Sequence, residues 1–123
     1  MNITEDYCSF EVAKLLKEKG FDEKTLSYYE DNVLCHGDWY EWNRSPLGHI
    51  AAPTLQMAMK WLRELHKLHI GIERGPKGYH IAIETIPLGV VTYVTREITG
   101  TSYVDSPEDG VDTALKYCLE NVI

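Results

Sequence analysis

Apolar residues recur at spacings of three and four in three stretches of the chain, and between those stretches the period drops to two. The first helical stretch opens at Ser9, a good N-cap before Phe10-Glu11-Val12-Ala13-Lys14-Leu15-Leu16, and closes at Gly20, a left-handed C-cap with Phe21 placed to fold back on the last turn. Phe10, Val12, Ala13 and Leu16 form its expected buried stripe. The second follows Pro53-Thr54 and runs to about Leu65 or Leu68, with Leu55, Ala58, Leu62 and Leu65 on one face, Met57 and Trp61 beside them, and Gln56, Lys60, Arg63 and Lys67 opposite. The third opens at Ser106-Pro107-Glu108-Asp109, where proline suits the first helical position and the acids complement the helix dipole. Val111, Ala114, Leu115, Cys118, Leu119 and Val122 make its apolar face.

The period-two segments read as hairpins. Leu26 to Glu30 and Val33 to Trp42 are rich in aromatic and β-branched residues, and Asp31-Asn32 between them suits a tight turn. His69 to Arg74 and Tyr79 to Glu84 alternate polar with apolar around Gly75-Pro76-Lys77-Gly78, which predicts a second hairpin. Val90 to Arg96 predicts a further strand, and Ile98 to Tyr103 a loop or edge. Residues 43–53, with two prolines and a glycine, read as a connector. Ser9-Phe-Glu-Val-Ala and Thr54-Leu-Gln-Met-Ala echo one another, so the segments 9–42 and 54–96 carry a weak α-β-β repeat before a closing helix over 106–121. Chance similarity of two amphipathic helix starts accounts for this as readily as duplication. The expectation is one α+β domain over 1–123, two-layered, with three amphipathic helices packed on an antiparallel sheet in the order α-β-β-α-β-β-(β)-α. Leu16, Ala58, Trp61, Leu62, Ile70, Ile72, Ile81, Ile83, Ala114, Leu115 and Cys118 are its expected core.

Composition narrows the classes of function. At 123 residues the chain is one small domain, large enough to bury a core without disulfides or metal. Apolar residues make up 44% and charged residues 25%, with no apolar run near the length of a membrane span, so a soluble protein is expected. The start MNITEDYCSFEV has neither a basic region nor an apolar run, so no secretory signal is read and the cytoplasm is the expected address. Three widely spaced cysteines, Cys8, Cys35 and Cys118, fit free thiols in a reducing compartment. The net charge of −7 is uneven: ten acids against five bases in 1–50, four against six in 51–100, five against one in 101–123. An acidic excess argues against general nucleic-acid binding, which needs a basic face to displace phosphate counterions.

The segments TEDYCSFEVAKLLKEKGFD (4–22), APTLQMAMKWLRELHKLHI (52–70) and SPEDGVDTALKYCLENVI (106–123) resemble a family of small uncharacterised proteins carried by phages and mobile elements of gut anaerobes. That family shares the pattern EVAKLLKEKGF, an APTxQMAMKWLRE helix and a closing EEAxEAALKYCLENLI-type helix. More loosely, the half from Pro53 onward is similar to the phage ABA sandwich domain, in which a Trp-bearing helix, an antiparallel sheet and a final Ala/Leu-rich helix pack in sequence. The resemblance implies a fold and a mobile-element origin, and brings with it no activity and no catalytic residues.

Residue chemistry supplies several weak candidates and one stronger surface. Cys35-His36 with His49, or His66 and His69 with His80, would offer three ligands to zinc, but neither set has a recognised metal-site spacing. Cys8, one residue before a helix N-cap, is the candidate nucleophile, whereas Cys118 reads as a small core hydrophobe. Gly71, Gly75 and Gly78 lie in and at the turn of a hairpin, where they serve turn geometry and not a phosphate loop. Asp38 and Glu41 beside Trp39 and Trp42 faintly resemble a sugar site. Lys60, Arg63 and Lys67, followed by Arg74 and Lys77, would form a basic face for nucleic acid or a regulator, although a solvated helix face predicts the same residues. Tyr28, Tyr29, Trp39, Tyr40 and Trp42, interleaved with Glu30, Asp31, Asp38 and Glu41, are more aromatics than one small sheet face buries, and Tyr and Trp are favoured at contact hot spots. The expected function is a non-enzymatic accessory protein that binds a protein partner, or a second copy of itself, without cofactor, metal or membrane. The alternative is nucleic-acid or regulator binding on the basic face, with a thiol or metal enzyme third.

Overall fold

The computed structural model describes residues 5–93 and 103–123. Its elements are α1 (Phe10–Glu18), β1 (Thr25–Glu30), β2 (Val33–Tyr40), a 3₁₀ turn (Trp42–Arg44), β3 (Ile50–Ala51), α2 (Leu55–His66), β4 (Leu68–Gly75), β5 (Gly78–Thr85), β6 (Val91–Tyr93) and α3 (Pro107–Tyr117), which ends in a wider π turn over Cys118–Val122. The fold is α+β, with three helices and antiparallel strands. Two corrections apply to the expected plan. The strands form two three-stranded sheets, ordered β2-β1-β3 and β4-β5-β6, where one sheet was expected, and β3 is a strand within the predicted connector. Alternation reports that a segment is a strand, but not which strands share a sheet. Of the predicted strand Val90–Arg96, Val91–Tyr93 form β6, Val90 lies just before it, and residues 94–96 lie outside the described residues, as does most of the predicted Ile98–Tyr103 loop.

Each helix is capped as its sequence demands. The Ser9, Thr54 and Ser106 hydroxyls accept from the backbone N–H of Val12, Met57 and Asp109, satisfying first-turn donors that have no helical partner. At the end of α1, Gly20 adopts φ +91°, and the Phe21 N–H donates to Leu16 O at 2.9 Å while that of Gly20 donates to Lys17 O at 3.2 Å. This paired closure turns Phe21 into the core. The first hairpin turns on Asp31 (φ 48°) and Asn32 (φ 68°), both left-handed as the favoured two-residue turn requires. The second is in continuous register from Leu68↔Thr85 to Gly75↔Gly78.

One contiguous core joins the three helices with Ala51 of β3, Leu68 and Ile70 of β4, and Ile81 and Ile83 of β5. Every expected core residue is buried except Ile72, which is 46% exposed. Ile72 pairs with Ile81, but Ile81 lies beneath α3 whereas the buried face of β4 ends at Ile70. Gly110 permits that approach of α3, since a Cβ there would stand 2.5 Å from Ile81 Cγ1. Three further expectations need correction. Leu65 is 62% exposed because no described residue covers its side of the last turn of α2, Val122 is exposed because the π turn changes the phase of the helix end, and Phe10 is only half-buried, edge-on to Tyr29. No side chain of β1 or β2 belongs to the core cluster, so the first hairpin is held by other means.

Candidate functional site

The first hairpin is held by an aromatic stack on one face and a polar network on the other. Trp42, expected at the end of a strand, turns back in the 3₁₀ segment and stacks on Tyr28 with ring centroids 4.1 Å apart. Tyr40 and His49 meet the same indole edge-on at 5.1 and 5.3 Å. The Trp42 Nε1–H donates to Thr25 O at 2.9 Å, which gives the mostly buried indole its polar partner. Gly37 backs onto this stack, since a Cβ there would stand 3.0 Å from Trp42 Cζ2 and 3.1 Å from Tyr28 Cε1. Across the hairpin Ser27 Oγ and His36 Nδ1 share a hydrogen bond of 2.6 Å.

The pairing of β1 with β2 slips between Thr25↔Tyr40 and Ser27↔His36, so Gly37, Asp38 and Trp39 oppose Leu26 alone. Such a bulge bends the strand and re-aims side chains. Here Trp39 is turned out and is 54% exposed, with Tyr40 beside it also exposed. Trp39 and Glu41 form one wall of an open groove of about 580 Å³, α2 the other through Met57, Lys60, Glu64 and Leu65, with Phe21 and Trp61 also lining it. Among the described residues β2 pairs only with β1, so its outer edge carries unpaired backbone groups.

The five aromatics picked out in the sequence thus divide. Tyr28, Tyr40 and Trp42 form the stack, Trp39 lines the groove, and Tyr29 leaves the group: it points the other way along the alternation, donates its hydroxyl to Cys8 O at 2.6 Å, and packs against Phe10. Burial raises the Tyr29 phenol above its usual range, the negative end of Asp112 adding to it. Leu65 and Lys60 of the groove escaped the hot-spot reading because they are distant in sequence from the hairpin. The exposed Leu65, off its predicted buried face, is the signal that only the folded chain provides.

The other candidates are scattered. Cys8 is fully buried, and burial, with the charge of Asp112 next, pushes its thiol far above the ordinary range, the reverse of what a nucleophile needs. Burial likewise pushes Cys118 up to about 12. Cys35 and His36 are neighbours on a strand and point to opposite faces, while His49 Nδ1 is held by Ser45 Oγ at 2.9 Å. His66 packs on Trp61 and His80 on Tyr103. Among the described residues no three metal-binding side chains converge. Asp38 and Glu41 lie on and just after β2, and only Glu41 lines the groove. Of the basic residues, Lys60 lines the groove with Glu23, Glu41 and Glu64, Arg63 Nε lies 4.0 Å from Glu64 Oε1, and Lys67 caps α2. Arg74 and Lys77 stand at the tip of the second hairpin, at the other end of β4 from α2. No described helix is long and apolar enough to cross a membrane. No protein-family model, curated protein or solved structure matches the chain.

Proposed function

We propose that the chain is a non-enzymatic accessory protein, of phage or mobile-element origin and cytoplasmic, that works by binding another protein through its first hairpin. The reading takes the helices and sheets as two layers that leave the outer edge of β2 uncovered. The observation that carries it is Trp39, 54% exposed on a bulged edge strand, lining one groove with a Leu65 that is 62% exposed. With no side chain of β1 or β2 in the apolar core cluster, the hairpin leaves Trp39 and Tyr40 exposed and available for contact, and Trp is among the residue types that dominate such contacts. The partner is an extended segment that pairs with the edge of β2 and seats an apolar side chain beside Trp39, main-chain bonds supplying affinity and the groove specificity. Tagged chain recovered from cells that carry the gene tests this by quantitative comparison. A protein retained by the natural chain and by Leu47→Ala, a residue 81% exposed in the segment before β3 and outside the groove lining, but reduced at least about tenfold with Trp39→Ala, is expected. Equal recovery with Trp39→Ala, or recovery of nothing that depends on it, removes the reading.

A further inference from the structure

On the opposite side of α2 from Trp39 lies a second groove of about 520 Å³, between the start of α2, the second hairpin and the start of α3. Its floor is apolar, made by Leu55, Met59, Ile72 and Val111, and Ile72 is the one expected core residue that the fold leaves 46% exposed. Its rim is of a single sign. Glu5, Asp6 and Glu108 line it, an adjoining hollow that shares Asp6, Leu55 and Glu108 adds Asp109 and Asp112, and among the described residues no lysine or arginine lines either. Asp112 accepts from the Ser9 N–H at 3.0 Å and the Ser9 hydroxyl at 2.8 Å, and Glu108 from the Ser106 hydroxyl at 3.1 Å; these donors are neutral, so both carboxylates keep their charge and add to the negative potential at the rim.

We propose that this groove binds a basic amphipathic peptide segment of a partner protein: one aliphatic side chain on the floor, flanked by lysine or arginine facing Glu5, Asp6 and Glu108. Charge complementarity selects the occupant. A neutral or acidic segment meets a one-signed rim that repels or ignores it, whereas flanking cations gain attraction and faster encounter. The unbranched, polarisable Met59 lets the floor adapt to differing aliphatic side chains. A second copy of this chain is the poorer occupant, since each copy carries −7.

Fluorescence anisotropy on the full chain tests this with two labelled probes, the decapeptide KLLKKLLKKL and decalysine, at about 50 mM salt and again at about 200 mM. The amphipathic probe is expected to bind at least about tenfold more tightly than decalysine and to weaken as salt rises. The pair Asp6→Asn with Glu108→Gln should weaken it about tenfold. Ile72→Thr, which keeps a β-branched residue in the strand, should weaken it without changing decalysine binding, and Trp39→Ala should leave it unchanged. Equal affinity for the two probes, or indifference to Asp6→Asn with Glu108→Gln, overturns the inference. Loss of binding in Trp39→Ala also overturns it, by placing the peptide in the other groove. A dimer in light scattering that Ile72→Thr converts to monomer overturns it in favour of a second copy.

Discussion

Trp39 and Trp42 are three residues apart and do different things, so replacing each with alanine separates surface from scaffold. Trp39 hides slightly less than half of its surface, being 54% exposed. A tryptophan offers about 200 Å² to bury, so its truncation removes roughly 90 Å² of contact, worth about 2 kcal/mol at 25 cal/mol per Å². The compactness of the unfolded chain lowers this to about 1.5 kcal/mol, and water fills the open groove without leaving a cavity. Trp42 is mostly buried, stacked on Tyr28 at 4.1 Å, and donates to Thr25 O. Roughly 150 Å² of lost burial, about 3 kcal/mol after the same allowance for the unfolded chain, joins a broken ring pair worth about 1 kcal/mol, for a cost near 4 kcal/mol. Urea unfolding followed by far-ultraviolet circular dichroism, which does not depend on tryptophan emission, reads both. A gap of at least about 2 kcal/mol between the variants is expected, with unchanged denaturant slopes. Equal costs, or a larger cost for Trp39→Ala, would refute the assignment of Trp39 to the surface and of Trp42 to the scaffold.

Other consequences are as direct. Gly110→Ala should destabilise by about 1 to 3 kcal/mol in a thermal melt, because the new Cβ meets Ile81 Cγ1 at 2.5 Å and α3 must lift from β5. Ser9→Ala should cost about 1 to 2 kcal/mol in the same melt, since it removes the cap of α1 and the hydroxyl that bonds Asp112 at 2.8 Å. In native chain a thiol reagent should modify Cys35 quickly and leave the buried Cys8 and Cys118 unreacted until urea is added. Both buried thiols have folded pKa values raised above the ordinary 9.0, that of Cys118 to about 12, so their contribution to stability is complete below pH 9 and is lost as pH rises toward 12. Cys118→Ala should therefore flatten the alkaline limb of stability against pH, which unfolding titrations between those limits will show.

What could be read from the chain was local. Ser9, Thr54 and Ser106 announce helix starts because a cap acts within three residues, and Asp31-Asn32 announces a hairpin because both tolerate positive φ. What could not be read was decided by partners distant in sequence. The two-residue strand Ile50–Ala51 exists only because Tyr28 and Tyr29 pair with it, and nothing in a Pro/Gly-rich connector marks it. Leu65 and Ile72 satisfy their local patterns and are nonetheless exposed, because the covering layer stops short of the last turn of α2 and of the tip of the second hairpin. Those two failures of pattern mark the two grooves. Tyr29 shows the converse: it looked like Tyr28 in the sequence, but strand alternation sends it inward to Cys8 O.

If the first hairpin is a protein-binding surface centred on Trp39, a photoreactive p-benzoylphenylalanine at position 39 will capture the partner on irradiation of cells that carry the gene, with the same residue at the exposed Leu47 as comparison. A discrete adduct of higher mass is expected from position 39 and none from position 47; no adduct at 39, or the same adducts from both positions, rules the surface out.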